Sequence, residues 1–245
     1  MKTNFYVRRG HSILDSREAY KLWSQFYDSE NDNLVLHSDS IILKKLLAMA
    51  NLNGKTILDY GSGTGRNWNE LLGHHPSRII GCDKSPEMLN ELKIKYPAAE
   101  TYLVGNNKLD FLKNKQCDTI ISTLVVSHIQ DIKKIIYEWN RVLKDSCDVI
   151  ITDLHPILFR KGGARTFNHI GSTYKIENFI HDVWRIVDLF SFLGFWKVNL
   201  IEEFIDEDVK PFYVKKDALN VYEKFKGLPF IYGLHLSRMY ADKKY

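Results

Sequence analysis

Between Thr56 and Leu154 the chain carries five short apolar runs, set off by helix-patterned stretches, and no other feature restricts its fold as much. The runs are Thr56–Tyr60 (TILDY), Arg78–Asp83 (RIIGCD), Glu100–Val104, Asp118–Val125 (DTIISTLV) and Asp148–Leu154 (DVIITDL). Helices are predicted over Thr64–Gly73 and Pro86–Tyr96. A third is predicted after an Asp131 cap, where Ile132, Ile135, Ile136, Trp139, Val142 and Leu143 recur at helical spacing. An unbroken apolar run such as Asp118–Val125 suits a central strand covered on both faces. Strands joined by right-handed helical crossovers make a doubly wound parallel sheet.

The flanks complete this α/β plan. Two helices come first, Asp15–Tyr27 with Ala19, Leu22, Trp23 and Phe26 as its apolar stripe, and Ser38–Met49 with Ile41, Ile42, Leu46 and Leu47 turned inward. After the fifth run come a polar insertion, His155–Thr173, and a long helix from Tyr174 to Leu193. Strands follow over Phe195–Phe204 and Pro229–Met239, with one short helix near Ala218–Phe225 between them. Seven strands result, mostly parallel, with the last antiparallel and the final pair forming an antiparallel edge.

The chemistry sits where the first strand ends, in Ile57-Leu58-Asp59-Tyr60-Gly61-Ser62-Gly63-Thr64-Gly65-Arg66. A strand that runs through glycines into a helix turns tightly and lets a ligand approach the backbone. Asp83 closes the second strand, where a carboxylate can accept hydrogen bonds from both hydroxyls of a ribose. Turn and acid together point to an adenosine-containing cofactor on a Rossmann-like sheet. The glycine spacing is G-x-G-x-G, and Arg66 stands where a dinucleotide site has its third glycine. No Gly-Lys-Ser/Thr follows, which removes a P-loop. Asp59, two residues before the first glycine, suits an ammonium group and would repel a pyrophosphate.

Over Thr56–Leu154 the sequence resembles the class I S-adenosylmethionine-dependent methyltransferases, with wording closest to the small-molecule, quinone-precursor-like branch. The resemblance is carried by Ile57–Gly65, by Gly81-Cys82-Asp83-Lys84-Ser85-Pro86-Glu87-Met88, by Cys117–Ser122 through His128-Ile129, and by Arg141-Val142-Leu143-Lys144. It implies one methyltransferase domain over 1–245, with a helical cap or lid over 1–50, a cofactor-binding half over 51–154 and a substrate-side half over 155–245. It also implies residue roles for an S-adenosylmethionine cofactor. Gly61, Ser62, Gly63 and Gly65 would pass under the methionine portion, with Asp59 near its amino group. Asp83 would hold the ribose, and Lys84 and Met88 would flank the adenine. Asn106 and Asn107 stand where the family has Asp-Ala after Gly105, Leu124 would lie against the cofactor, and Tyr27 of the lid would cover the sulfonium.

His128 and His155 follow the fourth and fifth strands, at the end of the sheet that faces the ligand crevice. Either is a candidate base, since an imidazole suits proton removal; a histidine bonded to nearby backbone is the competing reading for each. Arg160, Lys161 and Arg165 read as a solvated loop or as partners for an acidic group. A small-molecule acceptor is expected. An RNA or protein acceptor, or a non-catalytic cofactor-binding subunit, is the alternative.

Composition narrows the setting. The formal net charge of +4 is spread along the chain, without the dense basic stripe that tracks a phosphate backbone. Cys82, Cys117 and Cys147 form no C-x-x-C pair, so neither a disulfide framework nor a zinc site is expected. Met1-Lys2-Thr3-Asn4 does not open a signal peptide, and the longest apolar stretch is too short to span a bilayer. The expected place is the cytoplasm.

Overall fold

A computed structural model of the protein describes residues 12–30, 32–105 and 108–239. Its elements are β1 (Ile13–Leu14), α1 (Ser16–Tyr27), α2 (Leu34–Leu47), β2 (Thr56–Tyr60), α3 (Trp68–Gly73), β3 (Arg78–Asp83), α4 (Pro86–Lys95), β4 (Glu100–Leu103), β5 (Cys117–Thr123), α5 (Ile132–Val142) and β6 (Leu143–Leu154). They continue with α6 (Pro156–Arg160), β7 (Thr166–His169), β8 (Ser172–Ile176), α7 (Val183–Ser191), β9 (Lys197–Phe204), α8 (Lys210–Lys215), α9 (Leu219–Phe225) and β10 (Pro229–Arg238).

Seven strands form one sheet in the order β4-β3-β2-β5-β6-β10-β9. The neighbours from β4 to β6 are parallel, and β10 runs antiparallel to both β6 and β9. The last strand is thus antiparallel, as expected. It lies inside the sheet, however, and the edge belongs to β9. Alternate side chains divide the core in two. Leu58, Ile120 and Ile151 pack on one face with Trp139 of α5 and Phe190 of α7, while Ile57, Ile121 and Ile150 pack on the other with Ile42 and Leu46 of α2. The period of two explains why these strands read as continuous apolar runs: both faces are covered. At Gly233 an added Cβ would lie 2.3 Å from Ile42 Cγ2, which shows how closely α2 crosses β10.

Side-chain caps account for most helix starts. Asp15 accepts from the N–H groups of Arg17 and Glu18, Asn33 from those of Val35 and Leu36, Ser85 from that of Met88 and Asp131 from that of Lys134. The Asn33 cap starts α2 four residues before the predicted Ser38. The inner face of α1 is Ala19, Trp23 and Tyr27, while Phe26 is half exposed; likewise Ile41 of α2 points outward and Leu43 inward.

The largest correction concerns the predicted helix over Tyr174–Leu193. Its first part is strand β8, paired antiparallel with β7 through a two-residue turn at Ile170-Gly171 and parallel with β1. Both turn residues have positive φ, 46° and 70°, the geometry that lets a hairpin twist correctly. The helix α7 begins only at Val183. The resulting three-stranded sheet lies against α1, and Phe167 of β7 stacks on Trp23 at 5.1 Å between ring centroids. A second short helix, α8, stands beside the predicted one before β10.

Candidate functional site

The crevice opens at the C-terminal ends of β2, β3 and β5. That is where loops leave a parallel sheet and where ligands bind in open α/β folds. After β2 the chain turns at Gly61, whose φ is +76°; a Cβ there would fall 2.2 Å from Val125 Cγ2. Gly63, with φ +53°, has no atom nearer than 4.0 Å to an added Cβ, so this stretch of backbone lies open to a ligand. The Gly63 N–H donates to Asp83 Oδ2 at 2.9 Å, and the Ser85 N–H donates to Oδ1 at 2.8 Å. One carboxylate therefore fixes the glycine turn and the start of α4 together. Each of its oxygens keeps lone-pair capacity for a further donor. Burial raises the Asp83 pKa against the lowering effect of these bonds.

A cavity of about 320 Å³ follows from this arrangement, within the range of small-molecule sites. Of the sequence-predicted residues it brings together Tyr27, Gly61, Ser62, Gly63, Asp83, Lys84, Met88, Leu124 and His128. Leu124 holds φ at +59°, a conformation that non-glycine residues rarely keep without a reason in the surrounding structure. Burial lowers the Lys84 pKa.

Asp59, Gly65 and His155 do not line the cavity. Asp59 lies beneath the turn and accepts from Trp68 Nε1–H at 2.8 Å; burial pushes its carboxyl up to about 7. Gly65 faces Leu92 and Tyr96, where an added Cβ would lie 2.9 Å from Leu92 Cγ. His155 caps α6 by accepting from the Ile157 N–H, pairs with Glu202 at 3.0 Å and packs on Tyr232. Burial lowers its pKa. Asn106 and Asn107 lie outside the described residues.

His128 is placed differently. It ends a 3₁₀ turn over Val126–His128, and its Nδ1 lies 3.2 Å from the Glu177 carbonyl oxygen. A carbonyl only accepts, so Nδ1 carries the proton and Nε2 presents a lone pair. Tyr20 O–H donates to that lone pair at 3.0 Å. Burial, followed by the charge of Arg165, pulls the His128 pKa down to about 3, so the ring is neutral at physiological pH. Burial raises the Tyr20 pKa. A phenol and a neutral imidazole thus stand side by side on the cavity wall.

The sequence reading missed Tyr20, Asn67, Thr123 and Phe179. Tyr20 sits one helical step from Trp23 and Tyr27, so a stripe that counted amphipathic aromatics would have included it. The Asn67 side chain donates to Thr123 Oγ1 at 3.0 Å across the cavity mouth. Thr64 Oγ1–H donates to Asp28 Oδ1 at 2.7 Å, and Lys95 Nζ meets Oδ2 at 2.5 Å; these contacts tie the end of α1 to the glycine turn. Arg66, in place of the third glycine, forms an ion pair with the buried Asp39. Arg160 is exposed and paired with Asp182, whereas Arg165 is buried. Among the described residues no group of His, Cys, Asp and Glu could hold a metal ion, and no helix is long and apolar enough to cross a membrane.

A Rossmann-like sheet of this strand order, with a glycine turn and an acid at the end of β3, is an arrangement that can hold a nucleoside cofactor. The comparisons make it more particular: residues 58–151 match the family model of a methyltransferase domain. A structure of an S-adenosylmethionine-dependent methyltransferase from Mesorhizobium loti superposes with a TM-score of 0.60 at 18% identity, covering 79% of this chain and 96% of that one. One from Archaeoglobus fulgidus gives 0.63 at 13%, covering 87% and 99%. Phosphoethanolamine N-methyltransferase 2 of Haemonchus contortus, in complex with S-adenosyl-L-methionine, gives 0.62 at 12%, covering 89% of this chain and 57% of that one. At such identities the likeness is one of fold. No curated protein matches the chain in sequence. The cleft fits S-adenosylmethionine: the open Gly63 backbone, the Asp83 carboxylate on the cavity wall and the apolar flank of Met88 match a nucleoside joined to an amino acid.

Proposed function

We propose that the protein transfers the methyl group of S-adenosylmethionine to a small-molecule acceptor by direct in-line displacement. The observation that carries this reading is the size and lining of the cavity, which joins Asp83 and the glycine turn to Tyr20 and Tyr27 of α1, His128 and Phe179. When bound, the cofactor supplies an electrophilic methyl group with its leaving group already in place. The residues of this chain then supply alignment and exclusion of water. Asp83 would hold the ribose, with Lys84 and Met88 beside the adenine and Tyr27 over the sulfonium. Gly61, Ser62, Gly63 and Leu124 would bound the methionine portion. Asp59 would act from below the turn, as a support for it. His128 accepts a hydrogen bond at Nε2, and an acceptor O–H or N–H can take the place of Tyr20 there. Held neutral and weakly basic, this ring orients a nucleophile more than it deprotonates one.

In this reading the whole chain is one domain. Residues 51–154 bind cofactor, and 1–50 together with 155–245 shape the acceptor end. Three buried, unpaired cysteines agree with a reducing cytoplasm. The test supplies methyl-labelled S-adenosylmethionine with separate small-molecule, RNA and protein fractions of a cell extract. Label is expected in the small-molecule fraction, and His128→Asn should lower its rate on the order of 100-fold while S-adenosylhomocysteine binding persists. Label confined to RNA or protein would refute the small-molecule reading.

A further inference from the structure

Two arginines are buried among the described residues, and they are satisfied very differently. Arg238 donates to Asn140 Oδ1 and to the carbonyl oxygens of Asp145, Leu193 and Lys144, at 2.6 to 3.0 Å. Arg165 is 4% exposed and makes only two long contacts, 3.4 Å to the Leu124 carbonyl oxygen and 3.5 Å to Tyr27 Oη. Such distances lie at the limit of a hydrogen bond. A guanidinium has five N–H donors, and leaving a buried cation without a counter-ion costs several kcal/mol.

No carboxylate within ion-pair distance answers it among the described residues. Asp153 and Asp39 contribute to its electrostatic surroundings, but both are committed elsewhere. Asp153 accepts from the Ser127 N–H at 2.7 Å, the Ser127 hydroxyl at 3.0 Å and the Leu154 N–H at 2.7 Å. Asp39 is held by Arg66 and by the Thr152 hydroxyl. The guanidinium carbon of Arg165 lies 5.7 Å from the ring centroids of both Tyr20 and Trp23. Its neighbours Tyr20, Tyr27 and Leu124 all line the cavity, as does His128, so Arg165 lies directly behind the cavity wall. The insertion is folded so as to deliver it there: the Ile176 N–H donates to the Arg165 carbonyl oxygen, locking the residue at the root of the β7–β8 hairpin.

The geometry points to Arg165 as the anion-recognising residue of the acceptor subsite, so that the acceptor is a small molecule bearing a carboxylate or phosphate group. This deepens the methyltransferase reading above and rests on it. A planar guanidinium forms paired hydrogen bonds to either anion, and it does so best where water is excluded. An anionic group would give the Arg165 guanidinium the counter-ion that no carboxylate among the described residues supplies within ion-pair distance.

The experiment titrates protein saturated with S-adenosylhomocysteine against acetate, inorganic phosphate and the neutral acetamide, by calorimetry. At least one anion should bind saturably and acetamide should not; which anion binds separates carboxylate from phosphate acceptors. Arg165→Met should weaken that anion about tenfold or more, and Arg165→Lys should retain part of its affinity. Retained S-adenosylhomocysteine binding reports that each variant is folded. The proposal is overturned if neither anion binds, if acetamide binds as well as the anions, or if Arg165→Met leaves anion affinity unchanged. A residue serving only as a strut would lower the thermal stability of both variants without changing the discrimination between anion and amide. If S-adenosylhomocysteine does not bind the wild type, it is the cofactor reading that fails. The same titration of the free protein then still decides the role of Arg165.

Discussion

Single carboxylates organise this site, and burial sets them apart. Asp83 is held by two backbone N–H groups and faces the cavity, whereas Asp59 has one indole donor and is sealed beneath the turn. With its pKa raised from 3.8 to about 7, Asp59 is protonated more readily in the folded protein than in the unfolded chain. A raised carboxyl pKa makes its full contribution to stability below pH 3.8 and loses it as pH rises toward 7, after which the effect levels off. Asn at this position can still accept from Trp68 and carries no charge at any pH. Asp59→Asn should therefore gain stability relative to wild type between about pH 4 and pH 7, reaching on the order of a few kcal/mol. Denaturant unfolding of both proteins across that range measures the difference; a constant or shrinking gap would show that Asp59 is not the buried titrating group described. At this scale the sequence was informative about the cofactor end, because Gly61, Gly63, Asp83 and Met88 are chemically distinctive at fixed spacing. It offered Arg165 only as a loop residue or a partner for an acidic group, and it did not name Tyr20. Their roles depend on how a hairpin and a helix from opposite ends of the chain meet.

Elements show the same division. The parallel strands were legible, because a run apolar on both faces has few other uses, and caps such as Asp15 and Asp131 marked where helices begin. The β7–β8 hairpin was not legible. Its turn lacks the usual Asn-Gly pair, and the apolar residues after it fit a helix as well as a strand. Ile170 occupies the first turn position with φ at 46° and is 89% exposed, so a β-branched side chain sits in a left-handed conformation with no packing in return. Ile170→Asn should relieve this strain and stabilise the protein by about 1 kcal/mol, seen as a rise in Tm of roughly 2–4 °C. A fall in Tm would mean that the hairpin does not turn there. The hairpin matters beyond its own stability, because it carries Arg165 and Phe167 against the α1 lid.

At the scale of the molecule, two remote segments pack beside the crevice that the middle of the chain forms. The lid helix α1 comes from the start and the β7–β8 sheet from the insertion after β6; α1 is fastened to the glycine turn through Asp28 and Thr64. The family-model match falls within that middle part, residues 58–151, which is why the sequence spoke clearly about it and faintly about the rest. The central claim is that the cleft holds S-adenosylmethionine through Asp83. Calorimetric titration of wild type and Asp83→Ala with S-adenosylhomocysteine, with NADH as the control, tests it most directly. The account predicts binding to wild type, a loss on the order of 10- to 100-fold in the variant, and no heat from NADH. Binding of NADH in place of S-adenosylhomocysteine, or equal affinity of the variant, would contradict it.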